Sequence, residues 1–64
     1  MLKVKQKIRV FQLWTTREDF EGDAVLLQYI GKEPGTNAER WWVNFPEDED
    51  NSRYMRTVWP KDII

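Results

Sequence analysis

The chain has 64 residues with 10 Lys and Arg against 11 Asp and Glu, and its net charge of −1 argues against a strongly basic polyanion binder. It holds neither cysteine nor histidine, which excludes disulfides, thiolate metal sites, and the usual imidazole base or zinc ligand. A single domain over residues 1–64 fits this length, and four Trp, three Phe and two Tyr must supply its core.

Residues 3–10 alternate. Lys3, Lys5, Lys7 and Arg9 fall on one side, and Val4, Ile8 and Val10 on the other, with Gln6 as the one lapse. Period 2 predicts a strand with one wet face, continued by Phe11, Leu13 and Trp14 through a bulge. Residues 15–23 read as a polar loop with Phe20 as its aromatic anchor, and Gly22-Asp23 as the turn into the next strand. Residues 24–30 are apolar on both faces, which predicts a central, covered strand. Two Gly and a Pro make residues 31–37 a mobile loop.

Residues 39–45 and 53–59 are aromatic and β-branched, and they flank the acidic segment 46–52. They predict an antiparallel hairpin with a polar tip. Pro60 ends the ladder for want of a donor. Lys61-Asp62 then forms a short 3-10 turn before Ile63-Ile64 closes as a brief fifth strand. No stretch repeats apolar residues at i, i+3, i+4 and i+7, so helices are not expected. The core is expected to hold Val4, Ile8, Val10, Leu26, Val43, Phe45 and Val58, with Trp41 on their side.

Five short strands in so few residues leave little room for anything but a small barrel. Gly22-Asp23, then Trp41-Trp42, then Val58-Trp59-Pro60-Lys61-Asp62-Ile63 resembles the order of marks in SH3 domains. The run Trp42-Val43-Asn44-Phe45 with its acidic turn is similar to Tudor-like barrels as well. The resemblance implies an all-β, five-stranded SH3-like barrel with a 3-10 turn before the last strand. In SH3 domains the first Trp, the Pro and a Tyr line a polyproline-peptide groove, roles that would fall on Trp41, Pro60 and position 63. Here Ile63 replaces the tyrosine. Parity also puts Trp41, rather than Trp42, on the core side. In Tudor-like barrels a cage of aromatics and an acidic residue holds a methylated cation, and residues 47–50 would supply the acid.

Trp42 is then expected to point outward with Arg40 and Asn44. Trp and Arg lead the residue types that anchor interfaces, so this face, with Lys5 and Lys7 of the basic strand, is the candidate partner-binding surface. The expected partner is a protein. A minority reading takes the row of lysines as a grip on a phosphate backbone with Trp42 stacking a base. No catalytic residue, metal ligand or cofactor is assigned. Thr15, Thr16 and Ser52 have no base beside them, and residues 47–50 lack the glycine of a calcium loop. No apolar run approaches the roughly 18 residues of a membrane span, and no apolar leader opens the chain, so a cytoplasmic location is expected. From its size alone, the chain is read as an accessory protein of a phage or mobile element.

Overall fold

The computed structural model describes residues 2–48 and 52–64. It is all-β. Four strands, β1 (Lys7–Leu13), β2 (Glu18–Lys32), β3 (Glu39–Asn44) and β4 (Arg53–Val58), form one antiparallel sheet in sequence order, and a 3-10 turn (Pro60–Asp62) follows. Met1 and residues 49–51 of the acidic turn lie outside the described residues.

The hairpin of β3 and β4 pairs as its pattern predicts, Glu39 with Val58 through to Asn44 with Arg53. Along β3 the alternation is strict: Trp41 and Val43 are buried, and Trp42 is exposed. The core gathers Leu2, Ile8, Val10, Ala24, Leu26, Trp41, Val43, Phe45 and Val58 on the inner side of the sheet, and Tyr54 and Ile63 pack against it.

Val4 is a correction, since it is 57% exposed and Leu2 takes the inward place. Residues 3–6 do not continue the strand. Lys5 adopts a left-handed φ of 72°, and Gln6 folds back so that its Oε1 accepts a hydrogen bond from the Lys3 amide at 2.9 Å. That turn carries Val4 out of the core, and the lapse at Gln6 is where the alternation breaks. The chain still ladders onto β2, as the Lys5 amide donates to the Leu26 carbonyl at 2.8 Å.

The second correction is the length of β2. It starts at Glu18 rather than at residue 24, so Gly22-Asp23 is not a turn. The reversal between β1 and β2 occurs instead at residues 14–17, where Arg17 takes a φ of 60°. The register between β1 and β2 shifts where Val10 pairs with Gly22 but Phe11 pairs with Phe20. Gly22 sits at this irregularity with a φ of 132°, and a Cβ there would come within 3.8 Å of Phe45 Cδ1. Space is available, but an L side chain strains the backbone. Gly22→Ala is therefore expected to cost about 1–3 kcal/mol, read as a lower urea midpoint with an unchanged m value. An unaltered midpoint would show that the bend does not depend on glycine.

β2 is covered in its middle, where Val25 and Leu27 are half-buried, and loses that cover from Gln28 onward. Ala24 and Leu26 are buried, whereas Tyr29 and Ile30 are 50% and 39% exposed. The loop after β2 is tied down internally: the Glu33 amide donates to the Ala38 carbonyl at 3.0 Å, and the Ala38 amide to Thr36 Oγ1 at 3.1 Å. Finally, the fifth strand expected at residues 63–64 reduces to one bridge. Ile63 pairs with Ile8, and the Ile64 amide donates to the Lys7 carbonyl at 3.2 Å.

Candidate interaction face

Strand alternation on β3 turns Arg40, Trp42 and Asn44 away from the core. The register then fixes their neighbours. Arg40 lies opposite Gly31 and Thr57, Trp42 opposite Gln28 and Met55, and Asn44 opposite Val25 and Arg53. Lys7 stands opposite Val25, so one outward row crosses all four strands as Lys7, Val25, Asn44 and Arg53. Arg9, opposite Asp23, follows Lys7 on the same side of β1. Lys5 does not join this row, because it belongs to the turn before β1.

Trp42 and Met55 are the large apolar side chains at the centre of this face, 37% and 49% exposed. Met55 and Arg53 were not singled out from the sequence, and only the hairpin register brings them beside Trp42 and Asn44. Arg40 is half-exposed, and its Nε approaches Glu33 Oε1 at 3.4 Å. This buried N–H makes no aligned hydrogen bond to that carboxylate or to any other group among the described residues. A contact of that length and geometry is an ion pair by distance only, and it contributes little.

The other positions marked by the barrel resemblance are placed differently. Trp41 is 3% exposed, and its Nε1 donates to Glu39 Oε1 at 3.0 Å. It borders a cavity of about 320 Å³ with Leu2, Tyr29 and Glu39. Pro60 borders a neighbouring one of about 580 Å³ with Lys32, Asn37, Glu39, Trp59 and Lys61. Ile63 instead packs against the core. Trp59 is held by a hydrogen bond from its Nε1 to the Trp14 carbonyl at 2.8 Å, with the two rings 5.0 Å apart.

Near the acidic turn, Phe45 and Tyr54 meet edge to face at 5.7 Å. With Glu21, Asp48 and Arg56 they line a cavity of about 300 Å³. The combination of aromatics and carboxylates is that of a cation cage, but the chain supplies its own cation. Arg56 lies 5.5 Å from the Tyr54 ring centre and donates twice to Glu21, at 2.6 and 3.0 Å. Among the described residues no three acidic side chains group closely enough to hold a metal ion, and no helix is long and apolar enough to cross a membrane.

Comparison with protein-family models, with curated proteins and with solved structures finds no match to this chain. Function must therefore be argued from the face itself.

Proposed function

We propose that the chain is a small, non-enzymatic binding module that contacts a protein partner through the outer face of its sheet, with Arg40, Trp42 and Asn44 at the centre and Lys7 at the margin. The observation that carries this is Trp42. It is an indole left 37% exposed on the outer side of the hairpin, and it is set against an exposed Met directly across from it. Trp and Met are enriched where proteins meet, and a truncated Trp is the type of change that costs most in binding.

We further read the sheet as an SH3-like barrel. Support comes from the 3-10 turn that leads the C-terminal residues back to β1, where Ile63 bridges Ile8. A cytoplasmic location accords with a chain that uses no cysteine despite its small core. An origin in a phage or mobile element rests on size alone.

A second reading has its own observation. Lys7 and Arg9 share the outward side of β1, where they suit a phosphate backbone, and Trp42 suits a base. Salt separates the two readings, because affinity for a nucleic acid falls steeply with ionic strength.

Trp42→Ala is expected to change stability by about 1 kcal/mol or less, as a partly exposed position, while costing about 2 kcal/mol of partner affinity, roughly 30-fold. The measurement is capture from lysate on immobilised wild type and variant, washed at rising salt. A protein held by wild type through the salt series and lost with Trp42→Ala is the expected result. Equal capture by both, or release of nucleic acid by salt, would overturn the reading.

A further inference from the structure

We propose that the partner segment bound on this face is acidic and carries apolar side chains, so that its carboxylates meet Lys7, Arg9 and Arg53 while its apolar groups cover Trp42 and Met55. The inference rests on the reading of this face as a protein-binding surface, and it adds the chemistry of what is bound.

Charge is left unpaired on this side of the sheet. Three arginines find carboxylates within the chain: Arg17 with Asp62, Arg40 with Glu33, and Arg56 with Glu21. Among the described residues, Lys7, Arg9 and Arg53 have no carboxylate within 4 Å, and all three are exposed on the outward side of β1 and β4. Carboxylates on that side among the described residues include Asp23 across from Arg9 and Glu33 beside Arg40. A third, Glu47, borders a cavity of about 120 Å³ with Lys7 and Asp23. Asp23, Glu33 and Glu47 offset most of Lys7, Arg9, Arg40 and Arg53, so the cationic surplus among these residues is one charge, on a chain that carries −1 overall. Complementary potential of this kind selects the partner and speeds encounter.

The centre of the face decides between anionic partners. Met55 and Val25 offer aliphatic surface, which an apolar side chain covers well, whereas the platforms on which bases stack are aromatic. An apolar centre inside a polar rim is the anatomy of a protein interface.

The test is a displayed library of random peptides, panned on the intact wild-type chain at near-physiological salt. A pool of random single-stranded DNA is offered in parallel. Enriched peptides are expected to combine Asp or Glu with Leu, Ile or Phe. The leading peptide, synthesised, should lose about tenfold in affinity for a Lys7→Glu/Arg53→Glu double variant and more for Trp42→Ala, both confirmed folded by their melting transitions. Enriched peptides that need Trp42 but lack acidic residues would overturn the acidic segment and leave the binding face standing. Peptides indifferent to Trp42→Ala would sink both. Failure to enrich any peptide, or preferential retention of the DNA pool on Lys7, Arg53 and Trp42, would also overturn the proposal.

Discussion

Trp41→Ala and Phe45→Ala are each expected to leave the chain largely unfolded at room temperature. Trp41 is 3% exposed and Phe45 9%, and both belong to the core cluster. Trp41 also stands edge to face with Tyr29 at 5.4 Å, and Phe45 with Tyr54 at 5.7 Å. Truncating a core aromatic costs about 3–5 kcal/mol, because transfer energy is lost and the cavity closes only in part. A domain of this size rarely holds more than about that much from its core. Thermal and urea denaturation would measure it. A cooperative transition within a few degrees of wild type would mean that the site collapses onto its neighbours. The contrast with Trp42 is the sharper test: adjacent tryptophans on one strand should differ by several kcal/mol in stability cost, since the pleat sends them to opposite faces.

Where the sequence alternates, the strands could be read directly. Ile8 and Val10 on β1, and Trp41 and Val43 on β3, are buried as period 2 requires, with the exposed Arg9 and Trp42 between them. The failures have local causes. Lys5 takes a left-handed conformation that glycine or asparagine would ordinarily announce, so the turn at residues 3–6 passed for strand and Val4 for core. Residues 18–23 are polar because they belong to an exposed stretch of β2, and Gly22 marks a bend within it rather than an end. Polarity and glycine signal a loop only when no ladder partner is available, and here β1 supplies one.

Of the candidate face, only the half carried by one strand was legible. Trp42, Arg40 and Asn44 follow from the parity of Val43 and Phe45. Their partners across the sheet depend on register, which a single strand's pattern cannot set. Met55 and Arg53 therefore emerged from the pairing of β3 with β4. Lys5 was assigned to the basic row by an alternation that its own turn interrupts.

The link between Arg17 and Asp62 is equally invisible in sequence, since 45 positions separate the two residues. Asp62 is 1% exposed, and its Oδ1 accepts a hydrogen bond from Arg17 at 2.5 Å. Arg17 also lies 5.3 Å from the Phe11 ring centre, so one side chain ties the turn after β1 to the 3-10 turn near the C-terminus. Removing one member of a buried pair leaves the other charge without compensation, at about 3–5 kcal/mol. Arg17 is 37% exposed, so solvent reaches its end of the pair, and about 3 kcal/mol is the expected cost of Arg17→Ala. Replacing both partners by apolar residues, Arg17→Met with Asp62→Leu, removes the stranded carboxylate and should recover most of that loss. Urea midpoints for Arg17→Ala, Arg17→Met, Asp62→Leu and the double variant would decide it. If Arg17→Ala unfolds no more readily than wild type, Asp62 is satisfied by other groups and the C-terminal turn is held by its packing alone. Recovery in the double variant would instead show that the loss in Arg17→Ala comes from the stranded Asp62 carboxylate, and that the pair itself adds little net stability.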